Sequence, residues 1–212
     1  MSGNPVEAAV ACVAAGGLIA YPTETVWGLG ADANSERALG SLRDFKRRGE
    51  TAPVSILVAD AEQLADLGFD FCEGARLLAA RFWPGPLTLV LANRRRFARG
   101  VARADGAVGV RCSSHPIAQR LASGLAGRGL GPLTATSLNR SGQRPARTLE
   151  QARCRCEEGD ASPFLLDLPG PDAGGARAST VVDLTGSRPA VLRWGALEQS
   201  VLEPLLQEMA SG

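Results

Sequence analysis

Short apolar runs alternate with longer amphipathic segments along most of the chain. The apolar runs are bounded by Gly, Pro or polar residues and predict β-strands at 18–21, 53–58, 87–91, 108–112, 133–136, 164–167, 180–184 and 190–193. Segments with helix-start signals predict helices at 5–15, 35–45, from 60, 73–82, 114–125, from 148 and from 197. Interspersed helices and short strands predict an α/β or α+β fold in which helices pack on one mixed sheet. With no repeat and no linker in view, we expect residues 1–212 to form a single domain.

Several helix boundaries are predicted from capping residues. Asn4 can cap a helix that has Pro5 in its first turn and Glu7 three residues after the cap. Residues 148–151 have the sequence of a capping box, in which a Thr and a Gln side chain satisfy backbone N–H groups. Pro204 lies inside the last predicted helix, which we expect it to kink or shorten.

The composition excludes several classes of protein. The chain has 212 residues, of which 45% are hydrophobic and 21% charged, and this balance is typical of a globular protein. A formal net charge of +1 excludes a nucleic-acid-binding polycation, although a local basic patch stays possible. No apolar run approaches the roughly 18 residues needed to span a bilayer, and residues 1–5 lack the features of a signal peptide.

The cysteines do not form a recognisable disulfide or zinc pattern. There are five of them, an odd number, and the single histidine, His115, leaves too few partners for a Cys/His zinc site. We interpret them as reduced thiols and expect a cytoplasmic protein.

Lysine is nearly absent from the chain. Arginine accounts for all but one of the 23 basic residues, and the exception is Lys46. A lysine in such a background indicates a site where a compact ammonium cannot be replaced by a planar guanidinium. The alternative is chance survival on a surface helix, and composition alone does not decide between them.

The common catalytic motifs are missing. There is no GxxxxGK[ST] phosphate loop, no GxSxG turn and no HExxH, and 28–30 lacks the rest of a dinucleotide fingerprint. We interpret His115, which precedes Pro116, as a residue at the start of a helix and not as a catalyst.

Polar residues instead gather where predicted strands end, which is where open α/β sheets bind ligands. Six segments share this position: 21–30, 46–48 with Pro53, 110–116, 136–142, 179–183 and 192–195. In this order they resemble the YrdC family of threonylcarbamoyl-AMP synthases, and the resemblance covers residues 17–195. The segment YPTETVWGLG at 21–30 is its most specific part.

The resemblance implies a fold, an activity and a set of partners. It implies a twisted mixed sheet flanked by helices around a positively charged central cleft, in the short single-domain form. It implies synthesis of L-threonylcarbamoyladenylate and pyrophosphate from ATP, L-threonine and bicarbonate or CO₂, with Mg²⁺, for the threonylcarbamoyladenosine modification of tRNA. The implied macromolecular partners are the tRNA threonylcarbamoyl-transfer machinery and double-stranded RNA or tRNA.

The resemblance also implies roles for individual residues. Lys46 and Arg48 would neutralise the triphosphate and act in catalysis. The implied ATP-binding residues are Lys46, Arg48, Ser137, Asn139 and Arg193. The implied threonine-binding residues are Thr23, Arg111 and Ser179. No protein metal ligand is implied.

Ordinary structural roles compete with these assignments. Thr23 can belong to a polar turn, Arg48 can be a solvated charge at a helix end, and Ser137 and Asn139 can be turn formers. The chain also departs from the family pattern. Gly49 replaces a proline, Ala52 a polar residue, Leu138 a small residue and Trp194 a proline. Because Ala52 removes a polar contact, amino-acid specificity is less secure than nucleotide binding.

Two other functions stay open. One is a non-enzymatic RNA-binding maturation factor, although an aromatic content of 5% offers few platforms for stacking bases. The basic loop 94–103 is the candidate RNA contact, and a solvated surface is the simpler interpretation. The other is a paralogous carbamoyl-adenylate enzyme with a different acceptor.

Overall fold

The computed structural model describes residues 4–47, 49, 52–158, 162–168 and 177–211. Its elements in chain order are α1 (Pro5–Ala14), β1 (Ile19–Tyr21), β2 (Gly28–Gly30), α2 (Glu36–Lys46), β3 (Ser55–Leu57), α3 (Gln63–Asp66), α4 (Glu73–Phe82), β4 (Leu87–Leu91), β5 (Val108–Arg111), α5 (Pro116–Ala126), β6 (Leu133–Ser137), α6 (Leu149–Glu157), β7 (Phe164–Leu165), β8 (Thr180–Asp183), β9 (Ala190–Arg193) and α7 (Gln199–Ser211). No helix in these ranges combines the length and the apolar character needed to cross a membrane.

The strands form one mixed sheet in the order β7-β1-β2-β6-β3-β5-β4-β8-β9. The pairs β1–β7, β3–β5 and β4–β8 are parallel, and the other neighbouring pairs are antiparallel. The sequence prediction of helices on one mixed sheet is therefore confirmed. All eight predicted strands are observed within their ranges or one residue beyond, and β2 is an addition.

Helices cover both faces of the sheet, and each face has its own core. Ala20 contributes to the larger core, whereas its neighbours Ile19 and Tyr21 contribute to the smaller one, because successive strand residues point to opposite faces. Helices α1 and α5 pack on the smaller core. The larger core is covered by side chains of α2, α3, α4, α6 and α7.

The predicted helix caps are present. Asn4 Oδ1 accepts a hydrogen bond from Val6 N at 3.1 Å, and Thr148 Oγ1 accepts one from Gln151 N at 3.2 Å. His115 is the N-cap of α5, where its Nδ1 accepts a hydrogen bond from Ile117 N at 3.2 Å. The interpretation of His115 as a helix-start residue is therefore confirmed.

Two predicted helices show details that the sequence did not give. The helix expected from residue 60 is the single turn α3, and Asp60 Oδ1 accepts a hydrogen bond from Gln63 N at 3.0 Å at its start, as predicted. Pro204 does not shorten α7, which continues to Ser211. Pro204 is the sixth residue of that helix, past the four N–H groups that lack an intrahelical partner, so it removes one helical hydrogen bond without ending the helix.

Strand β2 was not predicted, because it has only three residues and two of them are glycines. The structure explains the glycines. A Cβ on Gly28 would lie 2.7 Å from the ring of Tyr21, and one on Gly30 would lie 2.7 Å from the side chain of Leu133. Side chains of the neighbouring strands therefore cover β2, and only glycine leaves room for them.

Candidate active site

A cavity of about 420 Å³ brings together the polar segments found in the sequence. Every described residue to which the sequence assigned a binding role lines it: Thr23, Lys46, Arg111, Ser137, Asn139, Ser179 and Arg193. Arg48, the other predicted site residue, lies outside the described residues. Residues that are far apart in the chain therefore meet in one place, as the sequence predicted.

The lining of the cavity is cationic. Lys46, Arg111 and Arg193 contribute to it, and its described lining contains no Asp or Glu. Like charges held close together are unfavourable unless an anion or counter-charge lies near them. The cavity is therefore suited to a polyanionic ligand.

Lys46 is the last residue of α2 and is only 3% exposed, so the alternative of chance survival on a surface is wrong. Its Nζ donates hydrogen bonds to Ser137 O at 2.6 Å, to Asn139 Oδ1 at 3.0 Å and to Asn139 O at 3.2 Å. The next residue, Arg47, adopts a left-handed conformation with φ of 48° that ends the helix. The ammonium therefore lies beneath the loop that follows β6.

That loop is held by a short network of hydrogen bonds. Ser137 Oγ donates to Asn139 Oδ1 at 2.6 Å, and Asn139 Nδ2 donates to Gln143 O at 2.6 Å. Ser141 N donates to Lys46 O at 2.9 Å. Most of the Asn139 amide is thus engaged within the protein, so Asn139 shapes the loop as a turn former while it lines the cavity.

Thr23 likewise organises its own turn. Its Oγ1 donates to Val26 O at 2.6 Å and accepts from Thr25 N at 3.2 Å. This is the local pattern by which hydroxyl side chains stabilise turns. The turn fixes the 22–27 segment between β1 and β2 at the wall of the cavity.

Arg111 ends β5 and is 8% exposed. Its Nη2 donates to Thr25 Oγ1 at 2.7 Å and lies 3.0 Å from Glu24 Oε1. Glu24 Oε2 accepts a hydrogen bond from Ser113 Oγ. Burial alone would raise the pKa of Glu24, but the Arg111 charge and the hydrogen bonds from Ser113 and Arg111 together hold it below its ordinary value.

Sequence reasoning gave no role to Glu24, Thr25 or Ser113. The sequence contained only an indirect indication of their roles. A buried arginine needs an acidic partner, and Glu24 and Ser113 both lie in the polar segments described above. Sequence position could not pair them, since 87 residues separate Glu24 from Arg111 by their numbers in the chain.

Ser179 directly precedes β8 and lines the cavity. Its Oγ lies 2.8 Å from Thr88 Oγ1, and its carbonyl oxygen accepts from Arg193 Nη2 at 3.0 Å and from Nε at 3.1 Å. Arg193 is exposed, so it lies where the cavity opens to solvent. Partial burial and the charge of Arg111 both lower the pKa of Arg193, yet a guanidinium stays charged at any physiological pH.

The residues that depart from the family pattern have different environments. Leu138 is fully buried in the larger core, so its bulk fills the interior and does not enter the cavity. Ala52 is half-buried and is not among the described lining residues. Trp194 is 41% exposed.

The basic loop between β4 and β5 is partly tied to the protein. Arg95 Nη1 donates to Asp66 O at 2.8 Å, and Arg103 contacts Asp183 and Asp105 at 2.5 Å each. These two arginines are engaged in intramolecular contacts, and Arg94, Arg96 and Arg99 are exposed basic residues of the same loop.

Comparison with known proteins places these features in a family. A model named Sua5_yciO_yrdC, described as "Telomere recombination", matches residues 11–195. A Mycobacterium tuberculosis protein named putative threonylcarbamoyl-AMP synthase is 37% identical over 201 residues, which are 95% of this chain and 88% of that protein. A Pyrococcus abyssi threonylcarbamoyl-AMP synthase is 36% identical over 207 residues, 96% of this chain and 58% of that one.

Solved structures agree with the sequence comparison. The crystal structure of P. abyssi Sua5 complexed with L-threonine superposes with a TM-score of 0.84 at 33% identity, covering 97% of this chain and 58% of that one. This chain thus spans a little over half the length of that protein. Escherichia coli YciO shares the fold, with a TM-score of 0.77 at 24% identity and 93% of each chain covered.

Proposed function

Because this chain belongs to the Sua5/YciO/YrdC family, we propose that it is a threonylcarbamoyl-AMP synthase. It is a transferase, and in this proposal it transfers a nucleotidyl group from ATP. Its substrates are L-threonine, bicarbonate or CO₂, and ATP, and its products are L-threonylcarbamoyladenylate and pyrophosphate. Residues 1–212 act as one YrdC-like domain in the cytoplasm.

One observation carries the proposal: Lys46, Arg111 and Arg193 converge on a cavity whose described lining has no carboxylate. ATP and threonine together bring a triphosphate and a carboxylate, which need this balance of charge. Guanidinium groups bind both anions through two parallel hydrogen bonds, and an ammonium adds a compact point charge.

The reaction makes one bond at carbon and one at phosphorus. The threonine amine attacks the carbon of CO₂ or bicarbonate, forms a carbamate and loses a proton to solvent; bicarbonate also loses hydroxide. A carbamate oxygen then attacks the α-phosphorus, and the bond to the oxygen that bridges to the β-phosphate breaks. Pyrophosphate leaves with that bonding pair. Such a reaction needs orientation and charge stabilisation more than a covalent intermediate.

Each residue has a separate role in the proposed reaction. In the proposal, Lys46, Arg48 and Arg193 stabilise the negative charge that develops on the phosphates. Ser137 and the Asn139 loop hold the nucleotide, while Thr23, Arg111 and Ser179 bind threonine. Lys46 contributes to both charge stabilisation and nucleotide binding, because its hydrogen bonds hold the Asn139 loop in place.

Mg²⁺ enters this scheme as part of the nucleotide substrate. The described residues contain no cluster of three His, Cys, Asp or Glu side chains that could hold a metal ion. Mg²⁺ commonly keeps several waters and binds through substrate phosphates. When bound, it neutralises phosphate charge, and the cationic side chains supply the rest.

The adenylate would pass to the machinery that modifies tRNA. A direct contact with tRNA or double-stranded RNA through the loop 94–103 stays part of the proposal. Arg94, Arg96 and Arg99 are its exposed candidates, and the side chains of Arg95 and Arg103 contact the protein itself.

The test is mass spectrometry of the products formed from Mg²⁺-ATP, bicarbonate and a panel of amino acids. We expect threonylcarbamoyl-adenylate, with pyrophosphate release that requires both threonine and bicarbonate. Lys46→Gln should abolish the product, whereas Arg128→Gln, which removes an exposed charge outside the cavity, should not. Release of pyrophosphate without threonine, or an adenylate of another amino acid, would contradict the proposal.

A further inference from the structure

The guanidinium of Arg111 is held from one side by an ion pair and a hydrogen bond. Glu24 Oε1 lies 3.0 Å from Nη2, and Thr25 Oγ1 accepts from the same nitrogen at 2.7 Å. Arg111 Nε is buried and makes no hydrogen bond within the described part of the chain. Both contacts therefore restrain one corner of a planar group with five N–H donors, which leaves its other donors for a ligand.

Glu24 is itself held in place. Its Oε2 accepts a hydrogen bond from Ser113 Oγ, and Ser113 is 1% exposed. Ser113 follows β5 by two residues, whereas Glu24 lies in the turn between β1 and β2. The carboxylate thus links the turn that contains Thr23 to the strand end that contains Arg111.

Glu24 does not belong to the cavity lining, although Arg111 does. A ligand in the cavity therefore contacts Arg111, with Glu24 behind it. A charged pair that is mostly removed from water is stable only when its geometry is good and additional hydrogen bonds support it. Thr25 adds such a hydrogen bond to Arg111 Nη2, and Ser113 adds one to Glu24 Oε2.

We propose that Glu24 is a positioning residue, which sets the plane of the Arg111 guanidinium so that its free donors receive the carboxylate of the amino-acid substrate. The inference rests on the proposed function and names a residue of that same site. Glu24 acts through Arg111 and does not touch the substrate.

A simpler role for Glu24 predicts the opposite result. If Glu24 only neutralised Arg111, its removal would leave a stronger positive charge and would lower the KM for threonine. If Glu24 orients Arg111, its removal frees the guanidinium to rotate and raises that KM.

Glu24→Gln separates the two roles by the sign of its effect, because it removes the negative charge that attracts the Arg111 guanidinium. We expect the KM for threonine to rise roughly 10-fold, as for the loss of a charge-assisted hydrogen bond, with kcat and the KM for ATP changed less than about 2-fold. Glu7→Gln, at an exposed position of α1, is the matched control and should change neither constant. An unchanged or lower KM for threonine in Glu24→Gln overturns the inference.

Two more variants keep the test decisive if Glu24→Gln folds poorly, which thermal unfolding would reveal. Ser113→Ala retains the Glu24 charge but removes its restraint, and it should raise the KM for threonine by a smaller factor. In an Arg111→Lys background, Glu24→Gln should weaken threonine binding no further when affinity is measured by calorimetry. Additive effects of the two substitutions would show that Glu24 acts independently of Arg111.

The wild-type protein distinguishes this inference from the proposed function. If it makes no threonylcarbamoyl-adenylate, the proposed function fails first. If it makes the product and Glu24→Gln leaves the KM for threonine unchanged, only the role of Glu24 fails.

Discussion

Val191 and Arg193 lie two positions apart on β9, yet Val191 packs against the larger core and Arg193 lines the cavity. A regular strand would place both on one face. The register shifts between Val181 and Val182, so that Val182 opposes Val191 and Val181 opposes Arg193. Leu192 is the extra residue of this β-bulge, which re-aims the next side chain.

Deleting Leu192 should keep Arg193 in the cavity. Val191 and Arg193 would then be adjacent in a regular strand, on opposite faces, and each would retain its partner on β8. We expect ATP affinity within about 3-fold of the wild type by calorimetry, whereas Arg193→Ala should lose roughly 10-fold or more, as for a charge-assisted contact. A deletion that costs as much as Arg193→Ala would show that the bulge itself is needed.

Lys46→Arg should weaken ATP binding although it conserves charge. The ammonium fits among three oxygen acceptors within 3.2 Å, and a guanidinium is larger and planar. Overpacking of a buried position typically costs about 1–3 kcal/mol, so the unfolding free energy should fall as well. Calorimetric titration with ATP checks the first effect and chemical denaturation the second.

The control for this substitution is Arg47→Lys, the reverse exchange at the adjacent exposed residue. It should leave both quantities unchanged. Wild-type affinity and activity in Lys46→Arg would contradict the view that this position requires an ammonium.

Asp183 should make stability depend on acidity. Burial alone would raise the pKa of Asp183, but hydrogen bonds from Thr185 and Arg103 hold it below the ordinary value. Because the folded-state pKa is the lower one, the stabilisation is present above the unfolded value of about 3.9 and is lost as pH falls through the folded value.

Chemical denaturation between pH 7 and pH 3 measures this contribution. We expect the unfolding free energy of the wild type to fall more steeply below about pH 4 than that of Asp183→Asn. Asp44→Asn, at an exposed position, should follow the wild-type curve. Parallel curves for the wild type and Asp183→Asn would contradict the prediction.

Gly28→Ala should destabilise the protein and disturb the cavity. The new Cβ would lie 2.7 Å from the ring of Tyr21, which also lines the cavity, so that ring must move. We expect a loss of about 1–3 kcal/mol, typical of overpacking, and weaker ATP binding.

Gly40→Ala is the matched control. Gly40 lies within α2, and its Cβ would meet nothing within 4 Å. Alanine there should be neutral or should stabilise by up to about 1 kcal/mol, because it favours the helix. Equal destabilisation by the two substitutions would mean that the contact with Tyr21 is unimportant.

Local patterns predicted much of this fold, and long-range contacts account for what they missed. The apolar runs located most strands, and Asn4 and Thr148 cap helices as expected. Strand β2 was not predicted, because its glycines make room for the side chains of Tyr21 and Leu133, which lie on other strands. Leu138 looked out of place in a polar segment, but it is buried in the larger core.

In the candidate site, too, the sequence predicted individual residues but not the long-range contacts between them. The resemblance grouped Lys46, Ser137, Arg111 and Arg193, and all four line one cavity. It gave no role to Glu24, because that role depends on a contact with Arg111 that only the folded chain creates. Residues that only support a binding residue form no recognisable motif in a single sequence, whereas the binding residues do.

The cavity takes its charged and polar groups from stretches that are far apart in the chain, among them those at Lys46, Arg111, Ser137 and Arg193. No fragment that lacks one of these stretches retains the complete set. A ligand that bridges them works as a reversible cross-link, and at 100 times its Kd it adds about 2.7 kcal/mol to the stability of the whole protein. Substrate supply thereby protects the entire chain against heat and proteolysis, far beyond the atoms that the substrate touches.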